Sequence, residues 1–283
     1  MGNMEQADPS KPLGADELRA CPVCLAAIPA PQSQRILRCP KCSHRWMWTN
    51  ETEQREIEQA VYTHDYVGYR ADPVFEQAIR SLLDRAILPR VGRGARVLDV
   101  GCGAGDFLAA AKERGLQAVG IDVSEEGASL CREKGLDAVS GNFLTRDVGS
   151  DFDAVTMWDV IEHLRDPGAF FDRTRGVLRP GGHFIGKVPG FGSVSVELSK
   201  RVQRLAGMLL GAPDHVQYFT QRSLGLLLHR TGFEVEWLDP PSNRLRGKRQ
   251  GGSLKRRIGR SFAASVKAVS RDRNLYFVAT VAR

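Results

Sequence analysis

The run Val97-Leu98-Asp99-Val100-Gly101-Cys102-Gly103-Ala104-Gly105 constrains this chain more than any other: an apolar strand ends at an acid, and three glycines spaced two apart follow it. It reads as a nucleotide-type cofactor site at the tip of the first strand of an α/β sheet. Glycines there let the chain turn sharply and bring bare backbone N–H groups against a ligand, which a Cβ would prevent. A dinucleotide fingerprint would carry a third glycine three positions after the second. Asp106 occupies that position, at the mouth of the next helix. An acid at a helix N-terminus repels a pyrophosphate, so a cationic or zwitterionic ligand fits better.

An amphipathic helix comes next, with Phe107, Leu108 and Ala111 set against Lys112, Glu113 and Arg114, and then the strand Ala118-Val119-Gly120-Ile121-Asp122. Asp122 lies 21 residues beyond Gly101, where an acid can accept both ribose hydroxyls. Further on are Phe152-Asp153-Ala154-Val155-Thr156-Met157-Trp158-Asp159-Val160-Ile161-Glu162-His163-Leu164 and Leu178-Arg179-Pro180-Gly181-Gly182. These motifs, in this order, strongly resemble the class I S-adenosylmethionine-dependent methyltransferases over roughly Arg93 to Arg283. The resemblance implies a doubly wound, seven-stranded, Rossmann-like α/β sheet closed by a reversed strand pair, Phe233 to Leu238 with Leu275 to Val281. It also implies that Asp99, Gly101, Gly103 and Gly105 surround the methionine end of S-adenosylmethionine and that Asp122 holds its ribose. Val123 with Asn142 and Phe143 would wall the adenine, the Asn standing where the family often has Asp. Trp158 and Asp159 would floor the pocket near the sulfonium.

Four of the six cysteines form two CxxC pairs, Cys21 with Cys24 and Cys39 with Cys42, separated by fourteen residues. Each pair can offer two thiolates to one metal from a tight knuckle, and together they complete a closed tetrahedral Cys₄ zinc site. Such a site is structural and supplies folding free energy to a piece too small for a core of its own. His44 is near enough in sequence to replace Cys42 as a ligand, the minor alternative. Cys102 and Cys131 read as packing residues. A ribbon followed by Trp46 and then Tyr62, Tyr66 and Tyr69 is similar to an arrangement in bacterial methyltransferases of sugar and secondary-metabolite pathways. The resemblance makes Tyr66 and Tyr69 candidates for a lid; packing of the ribbon on the main domain is the equal alternative.

The expected organisation is thus a tail over 1–20, a zinc ribbon over 21–48, a helical linker or lid over 49–92 and the methyltransferase domain over 93–283, with insertions at 189–219 and 239–274. A helix is expected from Pro73 to Leu88, ended by Pro89 and the Gly92-Arg93-Gly94 turn, another from Pro167 to Leu178, and the fifth strand from His183 to Val188. The first insertion ends in Asp214-His215-Val216-Gln217-Tyr218-Phe219, which resembles the acid–His segment beside the substrate in sugar C-methyltransferases, with Asp where those enzymes often have Glu. Removal of a proton from an oxygen or carbon acceptor calls for a base. His215 is the first candidate, with Asp214 orienting it, and His163 the second. His183 reads as structural.

With 42% hydrophobic and 26% charged residues the chain has the make-up of a globular enzyme. Its net charge of +7 is uneven: Pro241 to Arg283 holds twelve Lys or Arg against one acid, which leaves the remainder net acidic. The charge therefore does not argue that the enzyme tracks nucleic acid. No run is long and apolar enough to span a membrane and the first residues lack a signal-peptide core, so a cytoplasmic location is expected. Within 254–270 a basic amphipathic stripe of Leu254, Ile258, Phe262, Val266 and Val269 either meets an anionic membrane or packs on the protein. The expected reaction is methyl transfer to a small-molecule or glycan acceptor, lipid-linked acceptors included, with O-methylation ahead of C- or N-methylation. The competing reading is an RNA base methyltransferase with a zinc-ribbon RNA-binding module.

Overall fold

The computed structural model describes residues 18–29, 36–48, 73–191, 215–238 and 274–282. The N-terminal module contributes two antiparallel pairs, β1 (Leu18–Ala20) with β2 (Ala27–Pro29), and β3 (Ile36–Arg38) with β4 (Arg45–Met47). Helix α1 (Pro73–Leu82) then leads toward the main sheet. The chain does not stop at Pro89. It passes through a π turn at Leu83–Ile87 into α2 (Leu88–Val91) and ends at Gly92, whose φ is +80°. A proline inside an α-helix clashes with the carbonyl four residues back, and the wider π turn just before Pro89 relieves that clash.

The main body alternates strand and helix. In order come β5 (Arg96–Val100), α3 (Asp106–Glu113), β6 (Gln117–Asp122), α4 (Glu125–Glu133), β7 (Asp137–Ser140), β8 (Phe152–Trp158), α5 (Pro167–Val177) and β9 (Leu178–Pro189). Strand β10 (Gln217–Tyr218), α6 (Gln221–Arg230), β11 (Phe233–Leu238) and β12 (Asn274–Val281) follow. Seven strands form one sheet in the order β11-β12-β9-β8-β5-β6-β7. Pairing is parallel from β7 to β9, and β12 runs antiparallel to both of its neighbours. This is the Rossmann-like methyltransferase sheet with its reversed strand pair. Strand β9 starts at Leu178 rather than His183, because Leu178 already pairs with Phe152 and Arg179 to Gly182 bulge, with Gly181 at φ +73°, before pairing resumes between His183 and Ala154.

Helices α4, α5 and α6 start where Ser124, Asp166 and Thr220 accept backbone N–H bonds from the first turn. The two faces of the sheet bury separate cores. Val97 with Phe107, Leu108 and Ala111 of α3 packs on one face, and Leu98 and Val100 pack on the other with Phe171 and Val177 of α5. On that second face Phe184 meets the rings of Phe171, Phe277 and Phe233 at centroid distances of 5.0, 5.1 and 5.7 Å. Strand β10, at the end of the 189–219 segment, pairs with β4, so a segment that follows the main parallel strands completes the sheet of the N-terminal module.

Phe184 is fully buried among those rings, so Phe184→Ala should cost about 3–5 kcal/mol of stability, read as a lowered urea midpoint. A loss below about 1 kcal/mol would mean that the three neighbouring rings are not held by this contact.

Candidate functional site

Chain direction places the site at the C-terminal tips of β5, β6 and β8, where the helices that follow β5 and β8 leave for opposite faces. Gly101, Gly103 and Gly105 all have positive φ, at +75°, +51° and +88°. A Cβ on Gly101 would lie 2.4 Å from Val160 Cγ2, and one on Gly105 would lie 2.8 Å from Leu136 Cδ1. Both conformation and space therefore demand glycine at these two positions. Asp122 fastens this loop to the end of β6: one carboxylate oxygen accepts from Gly103 N at 2.7 Å and the other from Ser124 N at 2.9 Å.

Asp99 is buried at the end of β5 and accepts the Thr156 hydroxyl at 2.6 Å. Burial raises its pKa well above the ordinary value, the Thr156 bond opposes the rise, and the nearby Asp122 adds to it. An acid so placed gains from a cationic group in front of it. The glycine cradle, which a Cβ would fill, and this buried acid together fit the amino-acid end of S-adenosylmethionine.

The other residues expected around the cofactor separate by environment. Val123 is exposed, as is Asn142, whose side-chain oxygen accepts from Leu144 N at 2.9 Å in a local turn. Phe143 is buried and meets Phe170 at 5.8 Å. Trp158 is buried against Phe107 at 5.5 Å. Asp159 takes a left-handed conformation at φ +53° and pairs with Lys187 Nζ. Lys187 was not anticipated, since its place in the apolar strand β9 gave no sign that it would face an acid across the strand ends.

Beyond Asp159 the chain turns through a 3₁₀ segment, Ile161–His163. Val160 borders the Gly101 cradle, and three residues later the side chain of His163 meets that of His215 edge-on, ring centroids 4.8 Å apart. Both rings face Glu162: His163 Nε2 lies 4.0 Å and His215 Nε2 3.9 Å from Glu162 Oε1, in ion-pair range. Glu162 is 1% exposed whereas the two rings are partly open. The sequence thus located both histidines but not the carboxylate they share. The available signal was Glu162 itself, an acid adjoining a candidate base just past a strand end. One ligand atom from each of the three lies within 4.8 Å of the others, so the group could also hold a metal ion. Asp214, Tyr62, Tyr66, Tyr69 and the 254–270 stripe lie outside the described residues.

The four N-terminal cysteines also converge, their Sγ atoms all within 4.8 Å of one another. Cys21–Cys42 and Cys24–Cys39 stand 3.6 Å apart, far beyond the roughly 2.05 Å of a disulfide. A tetrahedron of Zn–S bonds of about 2.3 Å has edges of about 3.8 Å, so the set fits zinc. Both knuckles repeat one backbone pattern. Leu25 and Ser43, each just after a second cysteine, have positive φ, and Cys21 N and Cys39 N donate to the carbonyls of Ala26 and His44. Burial would raise the Cys39 thiol, but the backbone N–H groups of Cys42 and Lys41 hold it at about 7. His44 is not part of the set. Its ring lies 2.9 Å from Gln217 Oε1 through Nε2 and 3.3 Å from Ser223 Oγ through Nδ1. Burial pushes its pKa down to about 4, so the neutral ring donates to Gln217 and accepts at Nδ1.

The methyltransferase domain family matches residues 70–238. A "Ubiquinone biosynthesis O-methyltransferase" of Hahella chejuensis is 33% identical over 147 residues, which cover 49% of this chain and 54% of that protein. One of the same name from Pseudomonas aeruginosa is 26% identical over 213 residues, 71% of this chain and 83% of that protein. Among solved structures, magnesium protoporphyrin IX methyltransferase from Synechocystis with bound SAH superposes with a TM-score of 0.51 at 15% identity, covering 82% of this chain and 96% of its own. A SAM-dependent methyltransferase from Archaeoglobus fulgidus gives 0.50 at 19% identity, over 76% of this chain and 97% of its own. These structures share the fold. The family match spans more than half of the chain, through the glycine cradle, the buried acids and Glu162-His163: the chain belongs to the methyltransferase domain family.

Proposed function

We propose that this protein transfers the methyl group of S-adenosylmethionine to an oxygen of a small-molecule acceptor, with the cofactor at the tips of β5 and β6 and the acceptor at the Glu162, His163 and His215 cluster. The observation that carries this reading is the meeting of two histidines over a buried carboxylate, on a segment that also borders the glycine cradle. The names of the O-methyltransferase relatives agree with an oxygen acceptor.

When bound, S-adenosylmethionine supplies the methyl group on a sulfonium that leaves as a neutral thioether. The chain's own part is to align the acceptor and take its proton. As the acceptor oxygen takes the methyl group that bound S-adenosylmethionine would supply, its hydroxyl proton would pass to an imidazole, His215 first. The imidazolium then faces Glu162, whose charge at 4 Å contributes about 4 kcal/mol at an intermediate effective dielectric. With two rings against one carboxylate, one proton balances the cluster, and a second would place like charges side by side. Asp122 holds the ribose while keeping its bonds to Gly103 and Ser124, a burden that makes Asp122→Ala a harsh test. A second reading rests on the same three ligand atoms. A divalent cation held by them would lower the pKa of an acceptor hydroxyl directly.

His215→Ala should lower turnover by about 10²-fold with cofactor affinity near wild type. Turnover unaffected by added magnesium supports the base, whereas turnover that requires added magnesium supports the cation. Unchanged turnover in the variant would exclude both. For the cofactor, calorimetry should find S-adenosylmethionine binding weakened about tenfold or more in Asp122→Asn. Unaltered affinity there would remove Asp122 from the ribose.

Asp99 gives a pH dependence of known sign. Burial favours its protonated form without ligand and a bound cation favours the carboxylate, so binding releases a proton. Affinity should therefore fall as pH drops through the raised pKa, and Asp99→Asn should flatten the curve. Cofactor titration across mildly acidic to neutral buffers measures it, and a wild-type curve already flat would contradict the role.

We assign one structural zinc ion to Cys21, Cys24, Cys39 and Cys42. Elemental analysis of the purified chain should find one zinc per molecule, lost in Cys39→Ser with unfolding of the module. Full stability with no metal would overturn it.

A further inference from the structure

We propose that the four-cysteine module clamps His215 in place, with His44 and Gln217 as the positioning residues. This goes beyond the proposed transfer reaction and rests on it only in taking His215 as the group that meets the acceptor.

The residue after His215 is held from two sides. Val216 N donates to Glu162 O at 2.9 Å, and Met47 N at the end of β4 donates to Val216 O at 2.8 Å. Pairing continues from there, Gln217 with Trp46 and Tyr218 with Arg45. His215 thus lies two residues before β10, whose sheet partner is β4 of the cysteine module, while just past β10 Phe219 bridges Gly190 and accepts from Phe191 N at 2.6 Å. A two-residue strand cannot hold itself in register, and its backbone groups need a partner.

Side chains extend the link to the other histidine. Gln217 is buried. Its amide oxygen accepts from the His44 ring at 2.9 Å, while its nitrogen donates to Leu164 O at 3.0 Å and Arg165 O at 3.3 Å, just beyond the turn that carries His163. His44 is fully buried, stacks on Trp46 and meets Phe219 at 4.8 Å. Its carbonyl accepts from Cys39 N at 2.9 Å, within the second cysteine knuckle. A connected path therefore runs from the knuckle through His44 to Gln217, and from Gln217 to both segments that bear the histidines. Arg230 of α6 closes the other side of the module by donating from Nε to Val23 O at 2.9 Å.

Such a path has a physical consequence. The rings of His163 and His215 must keep their places to within fractions of an ångström to act on a hydroxyl, and a strand end pinned at one residue would not do this. The glycine cradle and Asp122 are built from β5, β6 and α4, and none of the bonds named here reaches them. Loosening the clamp should therefore disturb the histidine pair and spare the cofactor site.

The test uses the full chain carrying Gln217→Met, which keeps volume and loses the amide bonds, and separately His44→Phe, which keeps a ring against Trp46 and Phe219. Three quantities are read: exchange of the Val216 amide, ring ¹⁵N signals of His163 and His215 assigned with His215→Gln, and S-adenosylmethionine affinity by calorimetry. Val216 should exchange at least tenfold faster and both ring signals should shift. Leu98 and Val155 amides in the central sheet should keep their rates, and cofactor affinity should stay within twofold. A merely structural role would instead speed exchange throughout the sheet. If either variant does not fold, removing the metal from the wild-type chain with a chelator must produce the same pattern. Val216 exchange and ring signals that stay at wild-type values overturn the clamp, as does acceleration shared equally by Leu98 and Val155. Absence of S-adenosylmethionine binding by the wild-type chain would sink the methyltransferase reading instead, and the exchange data would still judge the clamp.

Discussion

The parallel pairing of β5 with β8 is the constraint on which the site depends. The helices that follow these two strands bury Phe107 and Phe171 on opposite faces of the sheet, so the strand tips are left with no helix above them. Chain leaving β5 must turn at once, beside chain leaving β8. Gly101 meets Val160 there at a distance that admits no Cβ, and Asp159 is forced into a left-handed conformation. The glycine cradle and the turn that delivers Glu162 and His163 are two sides of one crevice.

Three acids border this crevice, and each is stabilised differently. Asp122 spends its charge on two backbone N–H groups and so keeps the loop in shape. Asp99 has the Thr156 hydroxyl and a pKa raised by burial. Glu162 faces two imidazoles that can take up a proton beside it. Burying carboxylates costs several kcal/mol each unless charge or hydrogen bonds offset it, so their grouping at one end of the sheet marks where the chemistry is directed.

The cysteine module belongs to the same arrangement. Its knuckles are local, set by CxxC spacing and two residues with positive φ. Its docking is not local: β4 pairs with β10, and the neutral ring of His44 bonds Gln217 and Ser223 in the interior. A small domain with little core of its own gains from merging its apolar face with the larger body, and Val23, Leu37 and Trp46 do so beside Phe219 and Leu224.

The sequence by itself determined the parts whose chemistry is local. The glycine spacing from Gly101 to Gly105, the strand-then-acid pattern of Asp99 and Asp122, and the paired cysteines each follow from steric or coordination demands within a few residues, and they made the α/β class legible. The stop at Gly92 was legible, but the helical continuation through Pro89 to Val91 was not, because a π turn has no composition signature. Only tertiary structure decided the histidine cluster. Glu162 lies beside His215 because Val216 N bonds the Glu162 carbonyl where β10 pairs with β4, and Gln217 of that strand joins His44 to Leu164 and Arg165. Such contacts bring together residues far apart in the chain through backbone pairing, which any side chains of the right shape would satisfy, and sequence pattern carries no record of which distant strand a two-residue segment will choose.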